Sequence, residues 1–342
     1  MMHSTNDFDY ELPPALIAQT PLDKRDESRL LVCDKATGQI FHKHFFDIVD
    51  YLHEGDVLVV NDTKVIPARL YGNKESGGAV EFLLHKRLNA TEWEVLCKPG
   101  KRLQVGVVVG FGDRLKAQII KHNLDGSRIV RFDYQGIFEE VLESVGTMPL
   151  PPYIKAKLKD KDRYQTVYNT TGESAAAPTA GLHFTKSLLQ KLQQKGVIVT
   201  KVNLTVGLGT FRPVKVDDLT KHDMHSEFYT VPQETADIVN LAKKEKRRVI
   251  AVGTTSVRAL ESCARQTGVC LAKSESTDIF IYPPYDFLVV DGLVTNFHLP
   301  KSTLLMLVSA FWNKENTMQL YQTAIQEKYR FFSFGDAMLI LP

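Results

Sequence analysis

The sequence predicts an α/β protein, a larger α/β domain interrupted by a small antiparallel β-barrel or sandwich, and three observations carry that expectation. The chain has 342 residues, beyond the size at which one hydrophobic core usually stops growing, so two domains are expected. From about residue 65 to 150, short alternating apolar runs are punctuated by glycines at 77, 78, 100, 106, 110, 112 and 126, the pattern of a small antiparallel barrel or sandwich. Past the cluster of Pro149, Pro151 and Pro152, strands and helices alternate, which favours a partly parallel sheet under helices. Material of α/β type therefore flanks the short strands on both sides. The expected division is a discontinuous α/β domain, 1–64 with 152–342, and an insert, 65–151.

Each element has a local reason. The first sixty residues end in the apolar run Val57-Leu58-Val59-Val60, read as a buried strand that delivers the polar pair Asn61-Asp62. Within the insert, strands are expected at 79–84, 93–97, 105–109, 117–120 and 129–134. Downstream, Leu188, Leu189 and Leu192 fall at helical spacing behind Thr185, a suitable N-cap, and predict a helix over 186–195. A strand over 197–206, a helix over 233–245, a strand over 248–252 and a helix over 255–265 follow. An apolar helix over 303–312 is expected to be capped by Ser302.

The composition is that of an ordinary globular chain, 44% hydrophobic and 24% charged, which excludes large-scale disorder. No run approaches the roughly 20 apolar residues that span a bilayer, and the N-terminus has neither a basic start nor an apolar core. A cytoplasmic protein with no membrane partner is expected. The formal net charge of +2 is too small to announce nucleic-acid binding, so any such binding must use local patches. Cys33, Cys97, Cys263 and Cys270 lack metal or redox spacing and are read as reduced and structural.

Six segments could carry chemistry. In Ala175-Ala176-Ala177-Pro178-Thr179-Ala180-Gly181-Leu182-His183-Phe184-Thr185, small residues cluster around a histidine just before a helix. Such a segment cannot fill a core but lets backbone approach a ligand. Gly181 is free to take positive φ, and the free amides of the helix would face whatever the loop holds. Gly253-Thr254-Thr255-Ser256 is a strand-to-helix turn offering amides to an anion, or an ordinary N-cap. Val206-Gly207-Leu208-Gly209-Thr210 lacks the third glycine of a dinucleotide fingerprint, leaving a tight turn or a ligand-approach loop. His222-Asp223-Met224-His225-Ser226-Glu227 gathers two imidazoles and two carboxylates, for acid-base work or a solvated turn more readily than for a metal. Asn296, His298 and Lys301 arrive at a helix start, where His298 is either a site residue or a satisfied core histidine. Lys155, Lys157, Lys159, Lys161 and Arg163, near Tyr153 and Tyr164, resemble a phosphate-contacting strip, tempered by Asp160 and Asp162.

In order along the chain, these segments resemble the S-adenosylmethionine:tRNA ribosyltransferase-isomerases of queuosine biosynthesis. The resemblance rests on Asn61-Asp62-Thr63-Lys64-Val65-Ile66-Pro67-Ala68-Arg69-Leu70, Arg163-Tyr164-Gln165-Thr166-Val167-Tyr168 and the Ala-Pro-Thr-Ala-Gly-Leu-His-Phe loop. It continues through Val206-Gly207-Leu208-Gly209-Thr210-Phe211-Arg212-Pro213-Val214, Met224-His225-Ser226-Glu227 and Gly253-Thr254-Thr255-Ser256-Val257-Arg258. Thr295-Asn296-Phe297-His298-Leu299-Pro300 and Tyr329-Arg330-Phe331-Phe332-Ser333-Phe334-Gly335-Asp336-Ala337-Met338 complete it. Thr205 and Pro284 depart from the family pattern, which often has histidine and glycine there.

The resemblance implies a larger, barrel-like α/β domain carrying an inserted small antiparallel β-barrel, and transfer of the ribosyl part of S-adenosylmethionine to 7-aminomethyl-7-deazaguanine at the tRNA wobble position, with loss of adenine and methionine. S-adenosylmethionine is then a consumed substrate, and no metal or resident cofactor is required; the partners are that tRNA and S-adenosylmethionine, and the protein is expected to be a monomer. His183, His225 and Glu227 are expected to move protons, while Thr254, Thr255, Ser256 and Arg258 hold the methionine carboxylate. Asn61, Asp62, Lys64 and Arg69 are expected to line a cleft between the domains, or to form a structural ion network. Tyr164, Gln165, Thr179, Gly181, Gly207, Gly209, Arg212, Asn296 and His298 complete the expected substrate-binding set. A metal-dependent hydrolase, a methyltransferase and a non-catalytic RNA-binding module remain the other classes compatible with the residues alone.

Overall fold

The structure, a computed structural model, describes residues 4–207, 214 and 216–342. It divides into two compact units, one of Met1–Lys64, Pro152–Thr171 and Ala177–Pro342, the other of Val65–Pro151 and Gly172–Ala176.

The larger unit is organised by a nine-stranded mixed sheet. Its strands are β1 (Arg29–Asp34), β2 (Ile40–His44), β3 (Val57–Asn61), β13 (Ile198–Leu204), β14 (Glu227–Val231), β15 (Val249–Val252), β16 (Lys273–Thr277), β17 (Gly292–Asn296) and β18 (Ala337–Leu341). They lie in the order β16-β14-β13-β3-β15-β17-β18-β1-β2. The four central strands β13, β3, β15 and β17 are parallel, with Val57 opposite both Ile198 and Val249, and Ile250 opposite Gly292. β18 runs antiparallel to β17, and β1 parallel to β18. The carboxyl ends of the central strands therefore share one edge of the sheet with the amino ends of β18 and β1.

β3 is buried at all five positions, as the run Val57-Leu58-Val59-Val60 predicts, because both of its faces are covered. Leu58 and Val60 join Leu188 and Leu192 of α3 (Lys186–Gln194) in one core with Phe45, Ile48 and Leu52, the last two at and just beyond the short helix α1 (Ile48–Tyr51). Val57 and Val59 face the opposite side by alternation, where α4 (Gln233–Lys244) and α5 (Thr254–Ala264) lie against β3, β13 and β15. Thr185 caps α3 by accepting from the Leu188 amide at 3.1 Å. Ser302 caps α6 (Thr303–Phe311), accepting from the Leu305 amide at 3.2 Å, and α7 (Lys314–Gln326) follows. Cys263 and Cys270 are buried free thiols with their sulfurs 3.0 Å apart.

The smaller unit is a closed antiparallel barrel. Its strands are β5 (Arg69–Lys74), β6 (Ala79–Arg87), β7 (Glu92–Lys98), β8 (Val108–Phe111), β9 (Leu115–His122) and β10 (Arg128–Tyr134). They run β5-β6-β7-β10-β9-β8, and β8 returns to β5 through Asn73 opposite Gly110 and Lys74 opposite Val109. β11 (Gly146–Thr147) extends β5, and β4 (Thr63–Val65) pairs with β12 (Thr171–Ser174) in a separate two-stranded ribbon. Alternate residues point inward, so Phe82, Trp93, Val95, Phe111, Ile119 and Phe132 fill the barrel under Phe138, Val141 and Leu142 of α2 (Phe138–Val145).

The expected strand at 105–109 begins only at Val108. Val105 is exposed and Gly106 adopts φ +91°, so the apolar alternation there belongs partly to a turn. Closure of the barrel depends on Gly72, a glycine the spacing argument passes over. A Cβ there would stand 2.4 Å from the Gly110 carbonyl oxygen and 2.6 Å from the Phe111 ring, and only hydrogen fits where β5 meets β8.

Candidate active site

In open sheets with parallel strands, ligands bind beyond the carboxyl ends of those strands. Here that edge of the larger unit collects Asn61 at the end of β3, Gly207 after β13, the Gly253–Ser256 turn after β15 and Asn296 at the end of β17. Glu227 joins them because β14 runs antiparallel to β13, which brings its first residue beside the segment leaving β13.

Glu227 is the centre of the first cluster. Its Oε1 accepts from the Gly207 amide at 2.8 Å and lies 3.3 Å from His225 Nε2, while Oε2 accepts from Arg258 Nη1. Burial alone would raise the pKa of this carboxyl, but the His225 hydrogen bond, the Arg258 charge and the Gly207 amide outweigh it and hold the group below its ordinary value. Arg258, only 4% exposed, spends one donor on Glu227. Its Nε and Nη2 are buried without a partner among the described residues, and each such orphan donor costs about 1–3 kcal/mol unless an acceptor arrives. Thr255 Oγ1 is likewise buried and unpartnered. Arg258 and Thr255 sit in the first two turns of α5, whose positive end adds to their pull on an anion.

Ser256 differs from a ligand-facing hydroxyl: its Oγ donates to the Val252 carbonyl at 2.8 Å, binding the helix back to its own strand. Gly253 adopts φ +84° at the N-cap, so here the glycine supplies backbone conformation. Thr254 is buried beside it.

His183 is the centre of the second cluster. It ends the 3₁₀ turn Thr179–His183, is 4% exposed and stacks on Phe45 with ring centroids 5.0 Å apart. The Asn296 amide nitrogen donates to its Nε2 at 3.0 Å, and Asn296 Oδ1 accepts from Thr179 Oγ1 at 2.9 Å. The proton then sits on Nδ1, which faces Ser28 Oγ at 2.7 Å, and Ser28 in turn reaches the Arg25 carbonyl at 3.3 Å. Burial, with the charges of Arg330 and Arg25 behind it, pushes the imidazole down to about 3. His183 is thus held with both nitrogens engaged, and taking up a second proton on Nε2 would break the Asn296 contact.

Gly181 corrects a sequence expectation. It is not among the positive-φ residues; its glycine is required by space, because a Cβ would stand 2.1 Å from Tyr168 Oη and 2.8 Å from Thr166 Cγ2. The turn can lie against Tyr168 only without a side chain.

Other expected residues occupy supporting places. Asn61 is fully buried and clamps β3 to β13, donating to the Leu204 carbonyl at 3.0 Å and accepting from the Leu204 amide at 3.0 Å. Asp62 accepts from Thr170 Oγ1 and from Asn203 Nδ2, the latter at 2.9 Å, with Lys201 Nζ 4.0 Å away. Lys64 is exposed. Arg69 belongs to the smaller unit, where its Nε is 3.3 Å from Glu81 Oε1 and its Nη2 donates to the Leu150 carbonyl. Tyr164 is fully buried edge-on to Phe334, and Gln165 is half-buried just after it. Gly209 and Arg212 lie outside the described residues.

His298 stands apart from both clusters. It is buried among Tyr10, Phe297 and Tyr321, its Nε2 is 2.9 Å from Thr295 Oγ1, its amide donates to Tyr321 Oη, and its carbonyl accepts from Tyr10. Burial pushes its pKa down to about 3. This is a satisfied core histidine, the second of the two readings the sequence allowed.

Sequence reasoning missed Ser28 and Arg25, which reach His183 and its loop from about 155 positions upstream. Ser28 sits in an ordinary turn before a strand, and no local pattern marks it. It missed Asp336 as an anchor too: this buried carboxylate accepts from the Arg29 and Arg330 amides and fixes the entry to β18 beside Asn296.

Comparisons with known proteins agree in extent and kind. Residues 5–340 match the family described as Queuosine biosynthesis protein. Proteins from two strain designations of Clostridium kluyveri, each called S-adenosylmethionine:tRNA ribosyltransferase-isomerase, are 58% identical over 336 residues, covering 98% of this chain and 98% of theirs. The crystal structure of S-adenosylmethionine tRNA ribosyltransferase from Thermotoga maritima is 41% identical, with a TM-score of 0.56 over 98% of this chain and 100% of that one. A match of that length, with the same barrel and large sheet, makes this chain a member of the queuosine biosynthesis protein family.

Proposed function

We propose that this protein is an S-adenosylmethionine:tRNA ribosyltransferase-isomerase. It transfers and isomerises the ribosyl moiety of S-adenosylmethionine onto 7-aminomethyl-7-deazaguanine at the tRNA wobble position and releases adenine and methionine. It acts as a cytoplasmic monomer, consumes S-adenosylmethionine as a substrate and uses no resident cofactor. The observation that carries the reading is the Arg258–Glu227 pair, a buried guanidinium with two unspent donors beside a carboxylate held ionised, at the carboxyl ends of the parallel strands.

The chemistry fits those groups. A sulfonium acidifies the adjacent ribose 5′ carbon, so a base that takes this proton allows adenine to depart; the neutral amine of the modified base forms the new carbon–nitrogen bond, and methionine leaves with the electron pair of the broken carbon–sulfur bond. The methionine carboxylate is the acceptor that Arg258 Nε and Nη2 lack, with Thr255 Oγ1 beside them. His225, half-buried and 3.3 Å from Glu227, is the proton carrier with access to substrate, and Glu227 orients it. His183 keeps the loop in place as a neutral ring.

Steady-state measurement of adenine release tests these roles. His225→Ala is expected to lower kcat about 10²–10⁴-fold with little change in KM for S-adenosylmethionine, whereas Arg258→Lys is expected to raise that KM about tenfold or more. Near-normal turnover in His225→Ala, or an unchanged KM in Arg258→Lys, would contradict the assignment.

A further inference from the structure

We propose that the narrow cleft bounded by Lys24, Arg25 and Arg163 beside His183 receives a phosphate group of the tRNA backbone, next to the nucleotide being modified. The inference rests on the proposed function, because it takes tRNA as the substrate. The cleft leaves about 20 Å³ of space, room for one group the size of a water or a phosphate oxygen, and Ser28, His183 and Phe334 line it together with the three cations.

Its two arginines are oriented but not neutralised. Arg25 donates to the carbonyls of Leu182 at 3.1 Å and Asp162 at 2.6 Å, and Arg163 donates to the carbonyl of Asp23 at 2.7 Å. Backbone carbonyls fix a guanidinium plane without cancelling its charge. Among the described residues neither arginine makes an ion pair with a carboxylate, and Arg163 Nε is buried with no partner. Behind the wall a third guanidinium, Arg330, is held in the same manner by the Thr20 and Phe334 carbonyls. Lys24 at the rim pairs with Glu27, and Asp160 and Asp162 act on Arg25 from a distance while Arg163 repels it. An anion placed between Arg25 and Arg163 would relieve that repulsion and accept the unspent donor.

Two features favour a phosphodiester over the methionine carboxylate. The carboxylate already has a match in the orphan donors of Arg258. The segment that carries Arg163 continues into the exposed lysines 155, 157, 159 and 161, a basic path longer than one carboxylate needs and suited to a polyanion.

The test is binding of a fluorescent anticodon stem-loop, followed by anisotropy between about 50 and 200 mM salt, for wild type, Arg163→Gln and Arg163→Lys. Arg163→Gln is expected to bind about tenfold more weakly, with the slope of log K against log salt flatter by about one. Its affinity for S-adenosylmethionine, measured by calorimetry, stays at the wild-type value, and Arg163→Lys recovers the slope. Because Arg163 also holds the Asp23 carbonyl, a second measurement uses wild-type protein and stem-loops carrying one methylphosphonate linkage at a time. One neutral linkage is expected to weaken binding to wild type about tenfold and to cost nothing further with Arg163→Gln. Unchanged affinity and slope in Arg163→Gln, no linkage that responds, or a loss confined to S-adenosylmethionine would overturn the proposal. Wild-type protein that neither binds the stem-loop nor releases adenine would instead overturn the proposed function, and this inference with it.

Discussion

His183 and His298 show how burial decides what a histidine does. Both are pushed down to about 3 in the folded protein, against about 6.5 in an unfolded chain. Between those values the unfolded chain binds protons that the folded one refuses, so stability is fully present above about pH 6.5 and is lost as pH falls toward 3. Each histidine contributes a slope of up to about 1.4 kcal/mol per pH unit. Glu227, whose pKa is also depressed, adds a loss of the same sign at lower pH, in the carboxylate range. Urea unfolding at a series of pH values from neutral to about 5 should therefore show falling stability, and His183→Gln or His298→Gln should each flatten the slope. A flat profile in wild type, or one unaltered by either variant, would contradict these environments.

Among the elements, the β15–α5 junction links conformation to chemistry most directly. Gly253 takes φ +84°, and a Cβ there would meet nothing closer than 3.6 Å, so the glycine is required by backbone conformation and not by space. Gly253→Ala is expected to cost about 1–3 kcal/mol, read as a lower urea midpoint with an unchanged m-value. A cost near zero would mean that the turn relaxes to negative φ. The helix spacing at 188, 189 and 192, the caps Thr185 and Ser302 and the buried run of β3 were legible in the sequence because they are set by near neighbours. The Ser28–His183–Asn296–Thr179 chain was only half legible. His183, Asn296 and Thr179 lie in unusual local segments, but Ser28 is brought in by the pairing of β1 with β18 and β18 with β17, a tertiary event without local signal. Gly181 owes its glycine to crowding by Tyr168 in the segment just upstream, a side-chain contact that no backbone pattern announces.

At the scale of the whole molecule, the two units have separate cores, one around β3 and α3 and one inside the barrel. Each contains one of the two tryptophans: Trp93 is buried in the barrel, and Trp312 follows α6 in the larger unit. Gly72→Ala would force a Cβ to within 2.4 Å of a backbone oxygen at the barrel's closing strands, at a cost of about 1–3 kcal/mol. In single-tryptophan proteins, this substitution should lower the urea midpoint reported by Trp93 and leave that reported by Trp312 nearly unchanged. Equal shifts at both would show one cooperative unit in place of two. The short alternating strands made the insert readable from sequence, whereas its closure between β5 and β8 rests on a glycine inside a strand that no turn signal marks.

The central claim is the reaction itself, and product analysis after incubating the protein with S-adenosylmethionine and tRNA carrying 7-aminomethyl-7-deazaguanine tests it most directly. The account predicts free adenine and free methionine in equal amounts, matched by ribosylated tRNA, with no S-adenosylhomocysteine. S-adenosylhomocysteine as the product, or tRNA binding without consumption of S-adenosylmethionine, would contradict it.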